Sequence, residues 1–206
     1  MSRLKYLAAL FLLGYSVLLL ITEARTSQAY VRNYFTDLRG PVFFFGVNTS
    51  LSVAFLGGTA LLCAVALLIH DAPRPWLTVD GRFLLTQVAA FAYLAMDDRF
   101  LLHERIGARL GVEDAWLVLA LGVGEWLLLT YFRRSWDVKP ARLLLAGAAL
   151  FFALMIIIDG AVPPEVTLRL SIEDLSKTWS GFFLFLFGWL LVRVQLSRRL
   201  AAACVD

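Results

Sequence analysis

The sequence predicts an all-α polytopic transmembrane helical bundle of six spans, with both termini on the cytoplasmic side (N-in/C-in). Three observations carry this. The chain is 60% hydrophobic and only 17% charged, against about 45–50% and about 25% in soluble domains. Its mean hydropathy is +0.76. Six apolar stretches approach the roughly 20 residues that a helix needs to cross about 30 Å of hydrocarbon. With 206 residues and short connections, the whole chain reads as a single integral membrane domain, and its chemistry must sit on or between the spans.

The spans, in order, are residues 4–21, 49–69, 83–102, 115–132, 143–158 and 178–192. The first follows Arg3 and Lys5 as a secretory signal would. Its apolar run is long for a signal core, however, and Thr22-Glu23-Ala24-Arg25 offers no small-x-small cleavage site, so it reads as a retained signal anchor. Residues 23–48 form the longest outer loop. In it Tyr30, Tyr34, Phe35 and Phe43 to Phe45 alternate with Arg25, Arg32 and Arg39, which suits an interfacial helix. Such a helix is either an aromatic belt anchoring spans 1 and 2 or a lid over a pocket. Asn48-Thr49-Ser50 matches a glycosylation sequon, yet Asn48 reads as the cap of span 2. His70 ends that span beside Asp71 as a helix-end cation. Pro73, Pro75 and Gly81 mark the turn into span 3, Pro140 precedes span 5, and Pro163-Pro164 interrupt the last outer loop. Spans 5 and 6 are short in strictly apolar residues and must include polar flanks.

An even number of spans puts the termini on one side. Arg3, Lys5, Arg74, Arg82, Arg133, Arg134, Lys139, Arg142, Arg193, Arg198 and Arg199 would then be cytoplasmic, eleven of the 19 basic residues against eight outside. The Arg133–Arg142 loop and the Arg198-Arg199 pair set the orientation. Twelve of the 16 acids fall instead in outer loops or spans, leaving only Asp71, Asp80, Asp137 and Asp206 inside. Acids contribute little to topology, so this skew asks for a functional reason.

Several classes drop out. Cys63 and Cys204 have neither CxxC nor metal-ligand spacing, and a disulfide framework is excluded. The chain holds no GxGxxG, no Walker loop and no pair of midspan histidines for a haem. The formal charge of +3 belongs to the loops and does not point to nucleic acid.

Ionisable residues within a membrane are costly and default to functional suspects. Met96-Asp97-Asp98-Arg99-Phe100-Leu101-Leu102-His103-Glu104-Arg105 is the strongest case. Fifteen residues from Arg82, or about 22 Å at 1.5 Å each, a span has not yet left the hydrocarbon when it meets Asp97 and Asp98. The acid pair is therefore expected in the outer leaflet, facing protein or water. On one continuous helix Asp97 and Glu104 share a face, with Asp98 and His103 flanking it on opposite sides. This is not the i, i+4 pair of a zinc-binding helix. A metal would need ligands from neighbouring helices, and pairing with Arg99, Arg105 and Arg109 competes with that reading.

Asp159 ends span 5 on the same side. Before span 6, Ser171 and Asp174 read as a capping box, with Glu173 and Lys177 as a favourable i, i+4 pair and Glu173 able to turn inward as well. Glu125 differs from all of these. Eleven residues into span 4, about 16 Å deep, it lies near the midplane, flanked by Gly122 and Gly124, which would let a helix approach closely. Gln87 of span 3 is its expected partner.

The sequence thus points to a membrane enzyme open to the extracytoplasmic side, a hydrolase or transferase acting on a membrane lipid. Asp98, His103 and Glu104 are its candidate catalytic residues, with Arg99 and Lys177 in support. Asp97, Asp98, His103, Glu104, Asp159 and Glu173 are candidate ligands for a divalent ion, and such an oxygen-rich set favours magnesium, calcium or manganese over zinc. Two other readings stand beside it. One is a cation or proton transporter stepping through Glu125. The other is a non-catalytic subunit docking other membrane subunits through its charged rim. The expected location is the cell membrane, as a multi-pass protein of a bacterial inner membrane.

Overall fold

The computed structural model describes residues 2–35, 46–70, 74–163 and 165–203. Arg39 and Phe43 to Phe45 of the expected aromatic belt, together with Asp71, Pro73, Pro164, Cys204 and Asp206, lie outside them. Among the described residues every regular element is helical. The α-helices are α1 (Ser2–Arg25), α2 (Gln28–Phe35), α3 (Val47–Ile69), α4 (Val79–Phe100), α5 (Leu102–Leu110), α6 (Asp114–Tyr131), the single turn α7 (Arg133–Trp136), α8 (Lys139–Ala161) and α9 (Arg169–Ala203).

Four helical stretches are long and apolar enough to cross a membrane: Lys5–Arg25, Val47–Ile69, Lys139–Ala161 and Arg169–Ala201. The apolar part of α6, Ala115–Tyr131, is shorter, and α4 carries Asp80, Arg82, Asp97, Asp98 and Arg99 within its 22 residues. Apolar side chains on the surface are plentiful, as the composition requires; Leu10, Phe11, Leu68, Leu143 and Leu150 are all exposed.

The helix ends follow local chemistry. The Thr78 hydroxyl accepts from the Gly81 N–H at 3.0 Å and caps α4. Pro140 sits in the first turn of α8, where its missing N–H removes no intrahelical bond. Gly111 (φ +67°) closes α5 in the left-handed conformation, which costs glycine little.

Helix α9 is the axis of the fold, packed along α3 on one side and α8 on the other, while α4 lies against α3. Close approach depends on small residues. A Cβ at Gly188 would meet Leu62 and Thr59 at 3.3 Å, and one at Gly147 would crowd the Phe183 ring. The core between α3, α4 and α9 is built from Phe83, Phe91, Phe187, Cys63 and Ala66. A second cluster joins Leu19 of α1, Val31 and Phe35 of α2, and Leu175 of α9.

Three sequence expectations about helix ends are corrected. Asn48 does not cap α3, whose N-cap is Gly46. It is 1% exposed and bridges to α9, donating to the Asp174 carbonyl at 3.1 Å and accepting from the Thr178 hydroxyl at 3.0 Å. His70 is a bridge rather than a solvated end cation, with Gln195 at 3.3 Å on Nδ1 and Thr78 at 2.9 Å on Nε2. The expected Ser171–Asp174 capping box gives way to a cap from another helix. Glu23 of α1, 2% exposed, accepts from the N–H groups of Leu168 (2.8 Å) and Ser171 (3.2 Å) and from the Ser171 hydroxyl. A carboxylate at the positive end of a helix is electrostatically favourable. The bond also holds Leu168 at φ 67°, a conformation that costs a branched side chain free energy.

Candidate functional site

The helix that the sequence presents as continuous through residues 97–104 breaks at Leu101, a left-handed residue with φ 52° between α4 and α5. The break has a local cause. The Asp97 carboxylate accepts the His103 backbone N–H at 2.8 Å on one oxygen and lies 2.7 Å from His103 Nδ1 with the other. It thereby caps α5 and orients an imidazole in one motif. The face assignment drawn from an unbroken helix is therefore corrected: Asp97 and His103 meet directly instead of projecting apart.

Asp97 and Asp98 are 5% and 4% exposed; of the two expected surroundings, protein or water, protein encloses them. Asp98 forms an ion pair with Lys177 of α9. This overturns the expected Glu173–Lys177 pair, because Glu173 turns instead to Arg169 at 3.2 Å. Arg169 also holds the Asp159 carboxylate at 3.0 Å and the Val162 carbonyl at 2.9 Å, fastening the end of α8 to the start of α9. Hydrogen bonding to Asp97 is the largest influence on His103 and holds its imidazole above the ordinary value near 6.5, reinforced by the negative charge of the same carboxylate.

These groups surround one end of a cavity of about 670 Å³. Its polar end is lined by Asp97, Asp98, Arg99, His103, Glu104, Asp159, Glu173, Asp174 and Lys177, with Arg32 and Phe35 contributed by α2. Its depth is lined by Leu56, Leu94, Leu121, Phe152, Met155 and Leu184. All six expected ligand positions thus line one hollow, as do Arg99 and Lys177. The Thr49 hydroxyl, donating to the Phe35 carbonyl, ties α2 to α3 beside the cavity.

Bringing the acids to one hollow does not make them a metal cage. Among the described residues no three of His, Cys, Asp and Glu gather in a group able to hold a metal ion. Asp97 is engaged with His103, Asp98 with Lys177, and both Asp159 and Glu173 with Arg169. As arranged, these oxygens face the protein's own cations.

Glu125 is apart from this cluster. Both its oxygens are buried without a hydrogen-bond partner, as are both polar atoms of Gln87, although Gln87 is the polar group facing it. Of the two glycines beside it, only Gly122 permits close approach, to the Phe152 ring; Gly124 faces open space.

Sequence reasoning missed Ser52, which lines the cavity, is 1% exposed, and has no hydrogen-bond partner for its hydroxyl. A small hydroxyl residue at the start of an apolar span gives no signal in a single sequence. It also missed Glu23, whose signal was present: an acid at the end of an apolar span with no partner in its own stretch.

A pocket that is charged at one end and apolar at the other, set among apolar helices, defines an all-helical membrane protein with an amphipathic cavity. Residues 4–193 match the family described as a domain of unknown function (DUF8692), and the chain belongs to that family. No curated protein and no solved structure matches it.

Proposed function

We propose that this protein spans the membrane six times, N-in/C-in, and that its cavity binds a membrane lipid on which it acts as a hydrolase or transferase. The observation that carries the reading is a cavity whose depth is lined by leucines and aromatic rings and whose mouth holds His103 hydrogen-bonded to Asp97. Pockets for small ligands are largely apolar with a few convergent polar groups, and this one has the amphiphilic pattern of a lipid.

With Nδ1 turned to the Asp97 carboxylate, Nε2 is the basic nitrogen left to the cavity. A neutral His103 takes the proton of a water or hydroxyl nucleophile as the nucleophile's oxygen bonds to an ester or amide carbonyl carbon; the bond from that carbon to the leaving oxygen or nitrogen then breaks, and the imidazolium returns the proton to the leaving group. Asp97 stabilises the imidazolium in between. Lys177, anchored by Asp98, supplies positive charge for the developing oxyanion, and Glu104 and Arg99 line the same mouth as headgroup contacts.

A divalent ion, magnesium, calcium or manganese, enters this scheme only by displacing Lys177 from Asp98 or Arg169 from Asp159 and Glu173. Elemental analysis of the purified protein, with and without His103, decides that version. The test of the main reading is incubation of the detergent-purified protein with a total membrane lipid extract, followed by mass spectrometry. Consumption of a lipid class by wild type and not by His103→Ala supports it. Lipid copurifying with both proteins while neither turns it over leaves binding without catalysis and refutes the enzyme. Proton or cation flux in liposomes that is lost in Glu125→Gln and kept in His103→Ala would establish the transport reading instead, for which the buried Glu125–Gln87 pair is the supporting observation.

A further inference from the structure

We infer that the opposite end of the bundle carries a second, separate site, one for a phosphate-type oxyanion such as the headgroup of an anionic lipid. A small pocket of about 190 Å³ lies where α7, the start of α8 and the end of α9 meet. From Ala141, which lines it, to Asp159 at the large cavity is eighteen residues of α8, about 27 Å at 1.5 Å per residue. The two hollows are thus separated by roughly the thickness of the hydrocarbon core.

Arg134, Ser135, Trp136, Asp137 and Arg198 are among the residues that line the small pocket. Ser135 is 5% exposed and its hydroxyl has no hydrogen-bond partner. A buried hydroxyl left unmatched costs free energy, so a ligand oxygen that accepted from it would be held.

The charges around this hydroxyl are positive on balance. Asp137 is taken by Arg133 at 2.9 Å and by Arg142, which together hold its carboxyl below the ordinary value, Arg142 most strongly. Asp80 of α4 is taken by Arg198 at 2.8 Å. Arg134 is in no ion pair among the described residues. Four arginines thus stand against two acids, with one guanidinium unspent. The Trp136 Nε1–H donates to the Leu129 carbonyl at 2.7 Å and its ring packs edge-on against Phe187, which fixes the turn that presents Ser135 and Arg134. Guanidinium and hydroxyl together match a phosphate ester. This site does not depend on the reading of the large cavity.

The experiment is native mass spectrometry of the full chain in nonionic detergent, offered phosphatidylglycerol, phosphatidylcholine or inorganic phosphate. Wild type should retain phosphatidylglycerol over phosphatidylcholine. Arg134→Gln and Ser135→Ala should each lower that retention about tenfold, the size of one charge-assisted hydrogen bond. Ser135→Ala removes only an unpartnered hydroxyl and should leave the thermal midpoint unchanged, so lost binding cannot be ascribed to unfolding. Inorganic phosphate that binds with the same dependence on Arg134 and Ser135, with no lipid preference, keeps the oxyanion site and makes free phosphate its ligand. Equal retention of the two lipids without phosphate binding, or wild-type behaviour in both variants, overturns the inference.

Discussion

The Asp98–Lys177 pair is the most exposed part of this account to a direct energetic test. The Asp98 side chain is 4% exposed and that of Lys177 is 27%, so the two partners do not lose equally when the pair is broken. In Lys177→Met the carboxylate is left buried and uncompensated, which costs about 3–5 kcal/mol. In Asp98→Asn the ammonium can turn toward solvent, and the cost should be about 0–1 kcal/mol. The double variant removes both charges and should cost less than Lys177→Met alone, a coupling of about 2–3 kcal/mol in the double-mutant cycle. Thermal unfolding in detergent can be followed by thiol labelling of Cys63, which is fully buried, in a background with Cys204 replaced by serine. At about 2–4 °C per kcal/mol for a chain of this length, Lys177→Met should unfold about 6–20 °C below wild type. A double variant whose loss equals the sum of the two single losses would refute the pairing.

Three further outcomes follow. Glu23→Ala deprives the start of α9 of a charged acceptor for three donors and should destabilise by about 2–4 kcal/mol, read by the same thiol assay; a loss under about 0.5 kcal/mol would show that α1 does not hold α9. Because Asp97 raises His103 above its ordinary value near 6.5, the stabilisation from this pair is full below that value and lost as pH rises through the folded one. The wild-type advantage over Asp97→Asn should accordingly shrink with rising pH, while the acid limb of any activity moves to lower pH in the variant; a pH-independent difference contradicts the motif. Gly122→Ala forces the Phe152 ring to move and should cost about 1–3 kcal/mol and weaken lipid retention in the cavity, whereas Gly124→Ala, facing open space, should do neither.

The architecture was legible because the bilayer imposes it. Residues 49–69 and 143–158 announce themselves by length and apolarity, and α3 and α8 fall on them with a few polar residues added at the ends. The acids that line the cavity are also legible as a group, since too many charges sit too deep. What could not be read was how they pair. Periodicity assumes an unbroken helix, and the left-handed Leu101 turns His103 back onto Asp97, a local bond between side chains that hydrophobic spacing does not register. Lys177 had an attractive partner four residues away in Glu173, and only the packing of α4 shows that Asp98 takes it. Gln87 is the expected hydrogen-bond partner of Glu125 because both are polar at similar depth; the two side chains face each other, but neither has a hydrogen-bond partner. Asn48 looked like a cap because its neighbours resemble one; its burial against α9 is a long-range fact.

If the large cavity holds a membrane lipid with its polar end at the Asp97–His103 pair, as proposed, a structure of the protein crystallised from a lipidic mesophase should show it. Continuous density should run from beside Leu56 and Leu184 to within hydrogen-bonding distance of His103, with Asp97 still on Nδ1. Side chains of α3, α6 and α9 closed over an obliterated hollow, with His103 turned out to solvent, would contradict it.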